Sequence, residues 1–176
     1  KRHFVWIATC SDAAVYSIDG TRSAEAFKRL VGRMPKDLIA VTDRYAVYGK
    51  LGKKHQYCLA HLIRDFRRYA ERDGPDKEIG KKLEKALQRV CGIHKGFREG
   101  KATLSERNMR LGPYKREVKF WLEDGLANGT DQLSQLCENL LNEFDKLWTF
   151  AKIPGVEPTN NLAERCLRPA VIFRKL

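Results

Sequence analysis

Leu38-Ile39-Ala40-Val41-Thr42-Asp43 is the stretch on which the reading of this chain turns. Its apolar run is too short for a helix and lacks the alternation of a half-exposed strand. That is the pattern of a strand covered on both faces and paired parallel to its neighbour. The run stops at a carboxylate. A carboxylate just past the carboxyl end of a parallel strand occupies the usual place for active sites in open α/β sheets. Asp43 is also well suited to cap a helix beginning near Tyr45, and spacing alone favours that cap.

Upstream, Phe4-Val5-Trp6-Ile7-Ala8 and Ala13-Ala14-Val15-Tyr16-Ser17-Ile18 are β-branched and aromatic runs separated by a Ser11-Asp12 turn signal, which predicts a hairpin. Ala26, Phe27, Leu30 and Val31 follow at helical spacing, stopped by Gly32 and then Pro35. Downstream, a short helix from Tyr45 to Leu51 precedes a strand at Gln56 to Cys58. From Leu59 to Trp148 the pattern is almost wholly helical. Leu59, Leu62, Ile63, Phe66 and Tyr69 mark one helix, broken at Asp73-Gly74-Pro75. Leu83, Ala86, Leu87, Val90 and Phe97 mark a second. Val118, Trp121, Leu122 and Leu126 mark a third, closed by Asn128-Gly129. A fourth stripe runs unbroken through Leu133, Leu136, Leu140, Leu141, Phe144, Leu147 and Trp148. After a loop from Pro154 to Pro158, Asn160 to Arg168 predict a final helix ending before Pro169. The expected fold is α/β, with a last helix that returns after a helical insertion.

The 176 residues carry 34 Lys and Arg against 22 Asp and Glu, a formal charge of +12, which calls for a polyanionic partner. Nucleic acid fits better than a membrane, because no helix joins a strong basic face to an exposed aromatic one. No apolar run is long enough to span a bilayer. Five scattered cysteines do not make a disulfide framework, so a reduced, cytoplasmic protein is expected. No signal peptide or initiator Met opens the chain, as expected of a fragment.

Glu164 lies in Thr159-Asn160-Asn161-Leu162-Ala163-Glu164-Arg165-Cys166-Leu167-Arg168-Pro169. Asn161 with Glu164 imitates a capping box. That leaves Arg165 and Arg168, on one helical face, and the adjoining Arg174 and Lys175 without an explanation. A carboxylate among so many cations suits a site that holds a metal while gripping phosphates. Arg64, Arg67, Arg68 and Arg72, and Lys81, Lys82, Lys85 and Arg89, are partly neutralised by Asp65, Glu71, Glu78 and Glu84. They read as backbone contacts at most. Cys58-Leu59-Ala60-His61 and Cys91-Gly92-Ile93-His94 are Cys-x-x-His pairs that could together supply four zinc ligands. Cys91 sits in a helical stripe, however, and reads as a small core residue.

Val41-Thr42-Asp43-Arg44-Tyr45-Ala46-Val47-Tyr48, then Gln56-Tyr57-Cys58-Leu59-Ala60-His61-Leu62-Ile63-Arg64, then Asn160 through Pro169 with Arg174-Lys175, resemble in that order the transposases of the bacterial insertion sequence 66 family. The resemblance runs from about Phe4 to the end. Between Asp65 and Phe150 it is mainly one of helical character. It implies a ribonuclease-H-like mixed sheet, formed by residues 1–62 with 153–176 and interrupted by a helical insertion at 63–152. It implies an acidic triad with Asp43 as the second Asp and Glu164 as the Glu, and Cys58 with His61 as a signature of unassigned role. Arg165, Arg168, Arg174 and Lys175, with Asn160 and Asn161, become the expected DNA contacts, and Arg44, Tyr45 and Tyr48 weaker ones.

The family's first catalytic Asp belongs to an Asp-Glu-Thr motif that would precede Phe4, and neither Asp12 nor Asp19 matches it. The chain is therefore expected to be amino-terminally truncated and inactive alone. It should also fold poorly, because the absent first strand belongs centrally, between the second strand of the hairpin and the strand ending at Asp43. The chemistry implied is DDE-type transposition. Two Mg²⁺ or Mn²⁺ ions, roughly 4 Å apart, serve in-line cleavage at transposon ends and joining to target DNA by a homo-oligomer on double-stranded DNA. The alternatives are a non-catalytic nucleic-acid-binding remnant and a zinc-stabilised interaction module.

Overall fold

A computed structural model describes residues 3–32, 37–51 and 54–173. Pro35, Arg174 and Lys175 lie outside the described residues. β1 (Phe4–Thr9) and β2 (Ala14–Asp19) form the expected antiparallel hairpin, with Phe4 opposite Asp19 and Thr9 opposite Ala14. α1 (Ala24–Val31) starts where Ser23 Oγ accepts the Ala26 N–H at 3.2 Å. It ends at Gly32, whose φ of 57° lies in the left-handed region that favours glycine. β3 (Ala40–Thr42) pairs parallel with β4 (His55–Tyr57), Val41 opposite Gln56, and a 3₁₀ helix (Ala46–Leu51) lies between them.

Two expectations need correction. The described strands form two separate two-stranded sheets, not one mixed sheet. The residues of β3 are half-buried, not covered on both faces, because the strand borders a cavity of about 790 Å³. Every residue from His3 to Ser11 and from Leu38 to Asp43 lines that cavity, and no residue of β2 does. The cavity therefore adjoins the first strand of the hairpin, not the second.

The helices follow: α2 (Leu59–Glu71), α3 (Asp76–Arg98), α4 (Leu104–Asn128), α5 (Asp131–Asn142), α6 (Thr149–Lys152) and α7 (Asn161–Phe173). α4 begins well before the stripe that announced it, at a capping box in which Thr103 Oγ1 accepts the Glu106 N–H and Glu106 Oε2 accepts the Thr103 N–H. Asp76 ties α3 to the next corner, accepting from the Thr130 N–H at 2.8 Å and the Thr130 hydroxyl at 2.6 Å. Leu62, Phe66, Leu83, Leu87, Leu122, Leu140, Trp148 and Phe150 belong to one continuous core cluster. Burying each such side chain stabilises by about 1.5–3 kcal/mol.

The fourth stripe is not one helix. α5 stops at Asn142, a 3₁₀ turn covers Phe144–Leu147, and α6 starts at Thr149. β4 takes the backbone groups that a continuous helix would use. Buried Gln56 donates to the Leu147 carbonyl at 3.2 Å and accepts the Phe150 N–H at 2.9 Å, and the Thr149 hydroxyl donates to the His55 carbonyl at 2.8 Å. The last helix also overruns its expected end, passing through Pro169 to Phe173. Pro169 is exposed, so the carbonyl its missing N–H leaves unpaired can turn to water.

Candidate active site

β3 delivers Asp43 to the cavity just beyond its last paired residue, and α7 delivers Glu164 to the same cavity. Asp43 Oδ1 accepts the Tyr45 N–H at 3.0 Å, so the capping role is real. Its other oxygen has no hydrogen-bond partner among the described residues. Glu164 Oε1 lies 3.0 Å from Arg64 Nη2 and 3.5 Å from His61 Nδ1, both from α2. His61 and Arg64 also line the cavity.

α7 is locked to α2 at its start. The Asn160 N–H donates to Cys58 Sγ at 3.3 Å, and the Leu59 N–H donates to the Pro158 carbonyl at 2.8 Å. Burial pushes the Cys58 thiol up from its ordinary pKa, which keeps it protonated and fit for this packing role. The Cys58–His61 pair thus brackets the first turn of α2, one member holding the start of α7 and the other facing its carboxylate. Asn161 is exposed and gives α7 no side-chain cap, so the capping-box imitation is not used.

α7 and the residue before it divide between cavity and solvent. Asn160, Glu164 and Leu167 line the cavity, whereas Asn161, Arg165 and Arg168 are exposed and do not. Arg165 and Arg168 therefore stand outside the pocket that holds Glu164. Arg44 is engaged by Asp65 at 2.6 Å. Tyr48 packs against Phe27, ring centroids 5.2 Å apart, and against Trp6 at 6.4 Å. Burial and the charge of Asp43 push its phenol up to about 12. The residue that sequence reasoning passed over is Arg64, set aside as one of many arginines on a charged helix. The available signal was its spacing from His61, one helical turn away on the same face.

Asp43 and Glu164 are hard oxygen donors of the kind Mg²⁺ or Mn²⁺ prefers. No group of three His, Cys, Asp or Glu side chains able to hold a metal occurs among the described residues. The two carboxylates fit such an ion in kind and would supply part of its coordination shell.

Beneath Asp43, the Thr42 hydroxyl donates to the Asp43 carbonyl at 2.6 Å and sits 2.7 Å from His55 Nε2. With its proton committed, Thr42 Oγ1 accepts from His55, which assigns the neutral Nε2–H tautomer. Burial, reinforced by the Lys146 charge, lowers the His55 pKa to about 4, against the opposing pull of Glu143 and Asp43. An unfolded histidine protonates near 6.5, so between about 6.5 and 4 the unfolded chain binds more protons than the folded one. His55 therefore favours folding above that window, and the advantage is lost as pH falls through it. We expect about 2 kcal/mol of stability to disappear between pH 6.5 and 4 in the wild type and not in His55→Gln. Urea unfolding of both proteins at four pH values measures this, and parallel pH profiles would refute it.

The family model described as "transposase IS66 family" matches residues 1–176. No curated protein and no solved structure matches the chain. No helix among the described residues is long and apolar enough to cross a membrane.

Proposed function

Because the chain belongs to the IS66 family of transposases, we propose that it carries DDE-type chemistry, with Asp43 and Glu164 as the carboxylates that hold divalent metal. The observation that carries this reading is that both line one cavity although they come from remote segments of the chain. The fold reading is ribonuclease-H-like, with residues 1–62 and 153–176 as catalytic core and 63–152 as helical insertion. What supports it is the lining of the cavity, which takes in the whole of β1 and of β3. A strand set between β1 and β3 would join the two pairs into one mixed sheet.

When bound, Mg²⁺ supplies the positive charge that neutralises a scissile phosphate and activates the attacking oxygen. Asp43 and Glu164 would be the carboxylates that hold it. Arg64, half-exposed and paired to Glu164, can exchange its carboxylate for a phosphate oxygen as DNA enters, releasing Glu164 for metal. Arg165 and Arg168, on the solvent face of α7, grip the DNA backbone beside the pocket. Water attacks the phosphodiester at a transposon end and frees a 3′-hydroxyl, which then attacks a target phosphate. The partner is double-stranded DNA, bound by a homo-oligomer in the cytoplasm.

The test is cleavage of an end-labelled transposon-end duplex by the purified protein. Cleavage that requires Mg²⁺ or Mn²⁺ and leaves 3′-hydroxyl ends supports the reading. DNA binding without cleavage in either metal would replace it with the second reading, a nucleic-acid-binding protein without chemistry. The engagement of Glu164 by Arg64 is the observation that favours that second reading.

A further inference from the structure

A second concavity lies far along the chain from Asp43 and Glu164, between α3 and α4. It measures about 760 Å³ and is lined by Lys85, Gln88, Arg89, Gly92, Ile93 and Gly96 of α3, Lys101 and Ala102 of the connection, and Arg110 and Tyr114 of α4. Four of these side chains are cationic and none is acidic. All four cations are exposed. Of the neighbouring acids, Glu99 pairs with Lys101 of the groove and with Lys95, whereas Glu84 is taken up by Arg67 and Gln88 and Glu106 by the Thr103 capping box. Lys85, Arg89 and Arg110 have no ion-pair partner among the described residues. By contrast, Lys81 pairs with Glu78, and Lys82 lies over the Trp121 ring.

The floor of the groove is the second observation. Gly92 and Gly96 stand one turn apart in the interior of a 23-residue helix, where glycine is strongly disfavoured. Packing does not require them. A Cβ built on either would meet nothing within 4 Å. Elsewhere in α3, Gly80 has a packing reason, since a Cβ there would meet backbone of α2 at 2.7 Å. Bare helix backbone flanked by unpaired cations lets an anionic chain approach closely.

We propose that this groove seats the phosphodiester backbone of DNA, as a second binding surface on the helical half of the molecule. Lys85, Arg89 and Arg110 contact successive phosphates, Gly92 and Gly96 provide the clearance, and Tyr114 borders the track. From Lys85 to Gly96 the groove follows α3 for about 17 Å, along which one DNA strand carries about five phosphates. This inference rests on the DNA-binding reading above but not on catalysis.

The experiment is duplex-DNA affinity as a function of salt, measured by fluorescence anisotropy for the wild type and three variants. Lys85→Ala/Arg89→Ala/Arg110→Ala is expected to lower the slope of log K against log salt by about 3. Lys28→Ala/Lys77→Ala/Lys119→Ala removes the same charge elsewhere and should change the slope by less than about 1. Gly92→Leu/Gly96→Leu keeps every charge and improves helix propensity, yet should weaken binding at least tenfold with an unchanged or higher Tm. Wild-type binding that all variants reproduce would overturn the groove and leave the DNA reading intact. A wild type that binds no DNA would overturn both. If the glycine variant binds normally while the charge variant fails, the cations act as a diffuse field and the seated backbone is wrong. Competition by polyglutamate as effective as by DNA would also overturn the assignment to nucleic acid.

Discussion

Asp43→Asn and Glu164→Gln should each reduce metal-dependent strand cleavage by at least about 10³-fold, equivalent to about 4 kcal/mol of transition-state stabilisation. Both substitutions are nearly isosteric. Asn at position 43 retains a side-chain oxygen for the Tyr45 N–H that Asp43 now accepts, so the turn into the 3₁₀ helix survives. Gln at position 164 loses the ion pair with Arg64, but both partners are partly exposed and such pairs contribute at most about 1 kcal/mol. Neither side chain is one of the groove cations, so DNA affinity should stay within about twofold of wild type. Single-turnover cleavage and anisotropy on the same preparations separate the two effects. Retention of a tenth of the activity by either variant would remove that carboxylate from the proposed metal site. Loss of binding together with loss of cleavage would point to a structural role instead.

The largest effect on stability is expected from adding a single carbon. Gly80→Ala replaces a poor helix former with the best one, a change that propensity alone would favour by about 1 kcal/mol. The tertiary contact reverses the sign. The new Cβ would lie 2.7 Å from Ala70 N, 2.9 Å from Phe66 O and 2.9 Å from Tyr69 Cβ. None of these atoms can swing aside, so α2 and α3 must separate and the packing of Phe66 opens with them. We expect destabilisation by about 3 kcal/mol and a Tm fall of about 6–12 °C. Gly92→Ala and Gly96→Ala, in the same helix with open space above them, should each stabilise by up to about 1 kcal/mol. Thermal unfolding of the three single variants is the measurement. A neutral Gly80→Ala would mean that α2 and α3 approach less closely than described.

The elements that could be read in advance are those whose local pattern agrees with their surroundings. The hairpin was legible in two β-branched runs around Ser11-Asp12, and the parallel pairing of β3 in an apolar run too short for a helix. α1 was legible between its stripe and Gly32. Where reading failed, a distant partner had claimed the backbone. Nothing near Leu147 or Phe150 announces that Gln56 will bond to both, so the stripe through Glu143 looked continuous. The early start of α4 was overlooked although its signal was present, as Thr103 and Glu106 have capping-box spacing.

The candidate site divides the same way. Asp43 and Glu164 could be named from short motifs, because a carboxylate after a strand and a carboxylate among arginines are local features. Arg64 could be placed beside His61 by helical spacing, but its reach to Glu164 across 100 positions could not be read. Arg165 and Arg168 could be named but not oriented. Helical periodicity puts them to one side of Glu164, and only the docking of α7 on β1 and α2 shows that Glu164 lines the cavity while they do not. Charge, element type and the chemistry-bearing residues are written in the chain itself, since each depends on neighbours within a few positions. Which side chains share a cavity, which cations stay unpaired, and whether a glycine is a clearance or a crossing point all depend on separations between remote segments. Those separations are set by how the helices pack around their common core, and no local pattern encodes them.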